Sequence, residues 1–142
     1  MLRTIEEASK NFCIHQIRAE FQIENRVSNK RTLIAYIDID TFDAKKHRVY
    51  IASDEKFMQR ISKLFLEEDE SDEETLIDMT LETANLIIGS AKVIAEETTN
   101  NKYSINTPYF SKIGIFDFDF DEAKTIQIED YEFTIAIKEL NG

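Results

Sequence analysis

Glu82 and Asn85 are the two residues of this sequence whose types and spacing best suit chemistry on a helix. A separation of three residues places the carboxylate and the carboxamide on adjacent turns of one helix face. The carboxylate can pair with a cation, and the amide can donate and accept hydrogen bonds, although it cannot serve as a general base. The same spacing recurs at Glu97 and Asn100, where the helix is expected to end, and we interpret that copy as chance.

The segment from Ile37 to Phe42 is a rival candidate, because it carries Asp38 and Asp40 at the end of an apolar stretch. It resembles the nucleophile loop of haloacid-dehalogenase-type phosphatases and the metal-binding strand of diguanylate cyclases. The first family also needs a downstream basic residue and an acidic metal pair, and the second needs a Gly-Gly-(Asp/Glu)-Glu-Phe hairpin. Neither set is recognisable here, so we set both interpretations aside.

Metal binding is not predicted either. Asp117, Asp119 and Asp121 imitate the start of a calcium loop, but its sixth position is Glu122 instead of glycine and its twelfth is Ile128 instead of glutamate. We interpret the three aspartates as outward positions of a strand that ends in a turn. The two histidines, His15 and His47, have no Cys/His spacing typical of a zinc site.

The elements that would position Glu82 and Asn85 begin with one long helix, predicted over residues 72–98. Ser71 and Glu74 have the spacing of a capping box at its start. At about 100° per residue, one side forms a core face. The core face consists of Leu76, Ile77, Ala84, Ile87, Ala91, Ile94 and Ala95.

A narrow polar stripe lies on the opposite side of this helix, and a surface helix normally has a broader charged face. The stripe consists of Asp78, Glu82, Asn85, Gly89 and Glu96, with Lys92 at its edge. Apolar shoulders flank it: Met79, Leu86 and Val93 on one side, Leu81 and Ile88 on the other. This arrangement predicts a docking surface. Gly89 is compatible with close packing inside the domain or with room for a partner's backbone, and the sequence leaves both open.

The remaining pattern predicts a single α+β domain over residues 1–142, with a largely antiparallel sheet and two or three helices packed on one face. A first helix is expected over residues 2–15. A second begins at 53–55 and has Phe57, Ile61, Leu64 and Phe65 as its core positions. Strands are expected at residues 16–24, 32–40, 47–52, 103–106, 112–120, 124–129 and 131–138.

Composition excludes several classes of partner. A formal net charge of −11 argues against binding nucleic acid through its phosphates and against an anionic membrane surface. No apolar run is long enough to span a bilayer, and no secretory signal is recognisable. The single cysteine, Cys13, fits a reducing compartment, so we expect a cytoplasmic protein.

The segment from Asp78 to Lys92 resembles the helix of the CheX/CheC/FliY chemotaxis phosphatases, whose pattern is Glu-x-x-Asn-x-x-x-Gly. One such helix in a short chain is closest to CheX, although Ser90 stands where asparagine is common. The resemblance implies hydrolysis of the aspartyl phosphate of a CheY-like response regulator. Asn85 would orient the attacking water, and Glu82 would pair with the regulator's active-site lysine.

The resemblance also implies that Asp78, Gly89 and Lys92 contact the regulator. The magnesium ion would belong to the regulator, so this chain would need no cofactor of its own, and the protein would be a homodimer. Two alternatives stay open. The same helix could dock a regulator without hydrolysis, as a binding or flagellar-switch module, or the chain could be a structural dimerisation domain.

Overall fold

Three helices pack on one face of a seven-stranded sheet in the computed structural model, which describes residues 2–13, 20–99 and 102–140. The helices are α1 (Leu2–Phe12), α2 (Glu55–Leu66) and α3 (Glu73–Thr99). The strands are β1 (Gln22–Glu24), β2 (Arg31–Thr41), β3 (Lys46–Asp54), β4 (Tyr103–Ile105), β5 (Tyr109–Ile115), β6 (Glu122–Ile128) and β7 (Tyr131–Glu139). The predicted α+β class is confirmed. His15 and residues 16–19 of the predicted first strand lie outside the described residues, and the strand that the structure describes there, β1, is limited to Gln22–Glu24.

The sheet has the order β1-β6-β7-β3-β2-β4, and every pair of neighbours is antiparallel. Strand β2 pairs with β3 along one side. Its other side is shared by β5, which pairs with Arg31–Tyr36, and β4, which pairs with Ile39–Thr41. An antiparallel sheet of this order is incompatible with the parallel α/β architecture of the haloacid-dehalogenase type.

Two aspartates begin the second and third helices. The Asp54 carboxylate accepts a hydrogen bond from the Phe57 amide at 2.9 Å, and the Asp72 carboxylate accepts one from the Thr75 amide at 2.8 Å. Both are N-cap interactions that satisfy an amide without a partner inside the helix. The hydrogen bonds from Thr75 lower the pKa of Asp72, because they stabilise its carboxylate.

The predicted capping box at Ser71 is therefore wrong. Ser71 is buried, and its hydroxyl contacts the hydroxyl of Ser62 and donates to Glu68 at 3.0 Å. Its backbone N–H and carbonyl both bond to the Gln59 side chain at 2.9 Å. Because these contacts occupy Ser71, the next residue, Asp72, caps α3, and the acidic loop is fixed to α2.

The main core lies between the helices and the sheet, and it includes Phe57, Met58 and Ile61 of α2. Two predicted core residues of α2 are exposed instead: Leu64 by 49% and Phe65 by 40%. The inward position in the last turns is taken by Ser62, whose hydroxyl contacts Ser71 in the loop. Aromatic stacking on Phe12 of α1, at 6.3 Å between ring centroids, covers only part of Phe65.

A second, smaller core covers the opposite face of the sheet. Phe116 and Phe118 pack against Tyr50 there, at 5.3 and 4.9 Å between ring centroids. The strand predicted over residues 112–120 is wrong after Ile115, because residues 116–120 form no strand. The alternation of Phe and Asp in this segment directs aromatic rings onto the sheet instead of forming a ladder.

Candidate functional site

The polar stripe of α3 lies on the outer side of the helix, as predicted. Asp78, Glu82, Asn85 and Glu96 are exposed, whereas Gly89 and Lys92 are half-buried. The helix is held in place from beneath by side chains of the main core. The core residues of α3 are Leu76, Met79, Ala84, Ile87, Ile88, Ala91 and Ala95.

Glu82 and Asn85 are adjacent in the stripe and directed away from the core. Neither side chain forms a hydrogen bond or an ion pair with any residue that the structure describes. With a rise of about 1.5 Å per residue, three residues separate them by roughly 4.5 Å along the helix axis. One carboxylate and one amide can therefore reach the same small region of a docked molecule.

Gly89 borders open space. A Cβ atom built on this glycine would meet nothing within 4 Å, apart from the helix's own backbone, and its φ angle is not in the left-handed region. Close packing inside the domain is therefore not the reason for glycine here. The absence of a side chain lowers the helix surface one turn after Asn85, where a partner could approach.

The two apolar shoulders of the stripe differ from each other. On one side Leu86 and Val93 are exposed, by 43% and 50%, as a docking shoulder requires. Met79 on that side and Ile88 on the other are 6% and 0% exposed, so predicting them as shoulders is wrong. Both belong to the main core. Leu81 is half-buried, so Leu86 and Val93 are the shoulder residues that are exposed.

Negative charge concentrates around the first half of α3. Glu73, Glu74 and Asp78 are exposed on the helix, and the exposed acidic loop 67–70 precedes it. Lys92 is the single cation of the stripe. Such a surface favours a partner that presents lysine or arginine next to its own docking site.

Asp38 and Asp40, the rival candidate pair, form structural contacts within the sheet. The Asp38 carboxylate accepts two hydrogen bonds from the Arg48 guanidinium, at 2.8 and 3.0 Å, and these raise the pKa of Arg48. Asp40 accepts a hydrogen bond from the Asn106 side chain at 3.1 Å. Both carboxylates are thus engaged in contacts that hold neighbouring strands together.

The three aspartates that imitate a calcium loop are also structural or exposed. Asp117 pairs with Lys112 at 2.7 Å, and Asp121 accepts from the Glu139 amide at 2.7 Å and from Lys138 at 3.2 Å. Hydrogen bonding by these partners lowers the pKa of both carboxyl groups. Within residues 2–13, 20–99 and 102–140, no group of His, Cys, Asp or Glu could hold a metal ion.

A basic groove beside the C-terminal part of α3 was not predicted from the sequence. Its walls come from the first turn of α1, the turn between β2 and β3, Ala95 of α3 and the start of β4. Because these segments are far apart in the chain, no local motif marks the groove. Phe42, an apolar residue in a polar turn, is the only sequence signal near it, and 92% of its surface is exposed.

The family model for the chemotaxis phosphatase CheX matches residues 36–125, which include all of α3. No match is found among curated protein sequences. Among the described residues, no helix has both the length and the apolar composition required to cross a membrane.

Solved structures share the fold at low identity. The chemotaxis protein CheX from Vibrio vulnificus is 18% identical, with a TM-score of 0.78, and the match covers 96% of each chain. A CheC-like chemotactic protein from Shewanella oneidensis MR-1 is 13% identical, with a TM-score of 0.74, over 97% of this chain and 94% of the other. A chain of the CheX-CheY-BeF3-Mg²⁺ complex from Borrelia burgdorferi is 14% identical, with a TM-score of 0.69, over 97% of each. Since the family model spans well over half of the sequence, this chain belongs to the chemotaxis phosphatase CheX family.

Proposed function

We propose that this protein hydrolyses the aspartyl phosphate of a CheY-like response regulator in chemotaxis signalling. The observation that carries the proposal is the pair Glu82 and Asn85, adjacent and unengaged on the open face of α3, in a chain of the CheX family. The structure of a Borrelia burgdorferi CheX bound to CheY supports the choice of partner.

Asn85 orients the water that attacks the phosphorus. Its amide cannot take a proton, so it contributes by holding the water in line with the bond that breaks. Phosphoryl transfer depends mainly on such positioning and on stabilising charge, and both are possible without a base on this chain. The magnesium ion is supplied by the regulator's acidic pocket, and this chain contributes no cofactor.

Glu82 fixes the register of docking by pairing with the regulator's active-site lysine. Asp78 extends the acidic surface toward the start of α3, Gly89 admits the partner's backbone, and Lys92 closes the stripe with a positive charge. These contacts place Asn85 over the phosphoryl group, and a misplacement of about 1 Å can cost roughly 100-fold in rate.

The decisive experiment is phosphate release from purified phosphorylated regulators, with and without this protein. Asn85→Ala should abolish the acceleration while leaving the helical circular dichroism and the melting temperature unchanged, because the side chain is exposed and forms no hydrogen bond with the described residues. Ser90→Ala, an exposed change on the same helix, is the control and should keep the activity. Near wild-type hydrolysis by Asn85→Ala would refute the mechanism.

Glu82→Lys tests docking separately from hydrolysis. Reversing the charge opposite a lysine can cost several kcal/mol of binding free energy, so affinity for a regulator trapped in its phosphorylated form should fall sharply. Glu97→Lys is the matched control, since it makes the same exchange at an exposed position about 22 Å further along α3. Binding without any acceleration by the wild-type protein would instead favour the non-catalytic docking module.

The protein is also proposed to form a homodimer through an edge of its sheet. Strand β1 forms one edge of the sheet, and β4 and β5 form the other, and an edge strand presents unpaired backbone groups to a second copy. Tyr109 and Ile115 of β5 are exposed by 62% and 60%, which would favour burial against a partner chain. Sedimentation at micromolar concentration should give twice the 16.6 kDa chain mass, and a purely monomeric species would contradict the proposal.

A further inference from the structure

The basic groove beside α3 differs in charge from most of the molecular surface. Arg3, Lys45 and Lys102 line it, and among the described residues Asp43 is the carboxylate of the lining, with Glu96 acting on Tyr103 from outside it. Arg3 and Lys102 form no ion pair with any residue that the structure describes, and Lys45 reaches Glu139 only at 3.7 Å. In a chain with a formal net charge of −11, three cations around one concave surface form a local site for an anion.

The single carboxylate of the groove is already engaged. The Thr41 hydroxyl donates to Asp43 at 2.5 Å, and the charge of Lys45 also stabilises this carboxylate, so Asp43 offsets part of the positive charge of Lys45 but not that of Arg3 and Lys102. Arg3 and Thr4 belong to the first turn of α1, where the helix dipole is positive. The charges and the dipole therefore both favour a negatively charged group in the groove.

Polar atoms without partners lie in the walls of the same groove. Within the described residues, three buried side-chain polar atoms lack a hydrogen bond, and two of them are His47 Nδ1 and the Tyr103 hydroxyl. Burial raises the pKa of Tyr103, and the Thr4 side chain beside it lowers that pKa in part. Both atoms are buried behind the surface of the groove, so the groove is lined by polar residues as well as by cations.

The volume of the groove and the aromatic ring at its rim indicate which class of anion would fit. The groove has a volume of about 540 Å³, within the range of small-molecule sites. Phe42 stands at its rim with 92% of its surface exposed, which presents a ring face on which a flat base can stack. Arginine and lysine are the side chains that most often bind phosphate.

We propose that this groove binds a nucleoside phosphate, with the base on Phe42 and the phosphate held by Arg3, Lys45 and Lys102. The groove continues past Lys102 and Tyr103 to Lys92 and Glu96 of α3, so a bound nucleotide would lie next to the end of the polar stripe. The site does not depend on the proposed phosphatase activity, because its occupancy can be measured without a regulator.

The test is titration calorimetry of the full chain with ADP and GDP, beside adenosine and inorganic phosphate. At least one nucleotide should bind at least tenfold more tightly than phosphate, and adenosine should bind weakly. Lys102→Glu should weaken nucleotide binding at least tenfold, equivalent to about 1.4 kcal/mol. Phe42→Ser should weaken nucleotide binding but leave phosphate binding unchanged.

Lys63→Glu is the matched control, because Lys63 is an exposed lysine on α2, outside the groove. It should bind nucleotide like the wild type. Phe42 and Lys102 are both exposed, so these variants should keep the wild-type melting temperature. The proposal fails if neither nucleotide binds with a Kd below about 1 mM, if Phe42→Ser binds normally, or if Lys63→Glu is as damaging as Lys102→Glu.

Discussion

Substitution of Gly89 gives the sharpest test of whether the outer face of α3 is a docking surface. Glycine inside a helix is less favourable than alanine by about 0.5–1 kcal/mol. A new Cβ atom at this position would meet nothing within 4 Å beyond the helix backbone, so no contact offsets that gain. Gly89→Ala should therefore raise the free energy of unfolding by about 0.5–1 kcal/mol, or the melting temperature by about 2–3 °C.

Gly89→Leu separates folding from docking. In a filled interior a leucine would overpack, at a cost of about 1–3 kcal/mol. Here an added Cβ meets nothing and leucine is a better helix former than glycine, so the variant should melt at or above the wild-type temperature. On the docking face the same side chain would hold the regulator away from Glu82 and Asn85. Affinity for the trapped regulator and the rate of phosphate release should therefore fall together.

Ser90→Leu is the matched control for this experiment, since it places the same side chain on the next residue, rotated by about 100° around the helix. It should fold and bind normally. If Gly89→Leu is strongly destabilised while its folded fraction still binds the regulator, the docking-face interpretation is refuted. Equal loss of binding in both leucine variants would mean that the effect is not specific to the stripe.

Two further predictions concern stability. Asp54→Ala should destabilise the protein by about 2–4 kcal/mol, because it removes the cap of α2 and leaves the Glu132 amide, now bonded to Asp54 at 3.0 Å, without its partner. Urea unfolding measures this, and equal stability of the variant would show that the cap is dispensable. The pKa of Asp121 lies below its ordinary 3.8, because the Glu139 amide and then Lys138 stabilise the carboxylate. A carboxyl group with a lowered pKa stabilises the folded protein at pH values above its ordinary pKa, and this stabilisation is lost as the pH falls through the pKa of the folded state. Asp121→Asn lacks this contribution, so it should lose less stability than the wild type in melts from about pH 6 to about pH 2. Parallel curves for the two proteins would contradict this.

The long helix could be predicted from sequence because its signals agree with one another. An uninterrupted apolar period and acidic residues at the start gave bounds of 72–98, against Glu73–Thr99 in the structure. The cap could not be chosen from sequence, since Ser71 and Asp72 are both good capping residues. The choice depends on Gln59 and Ser62, which bind Ser71 from another helix.

The second core could not be predicted from the sequence either, because it depends on contacts between distant segments. Phe116 and Phe118 alternate with aspartates, as the residues of a half-buried strand do. Their rings instead pack on Tyr50 from outside the ladder, and that contact is set by the distant strand β3. Leu86 is exposed and Ile88 is buried because of the elements that pack against α3. Helical periodicity alone does not determine which elements those are.

The position of Glu82 and Asn85 in the middle of a 27-residue helix has a consequence for the entropy of binding. Helices fray from their ends, and about two turns or more separate this pair from either end of α3. Their backbone is ordered before any partner arrives, anchored from below by Ala84, Ile87 and Ala91. In the proposed complex, docking would restrict side-chain rotamers of the stripe but would not have to order the backbone that carries them, which leaves more of the interface free energy for alignment of the reacting atoms.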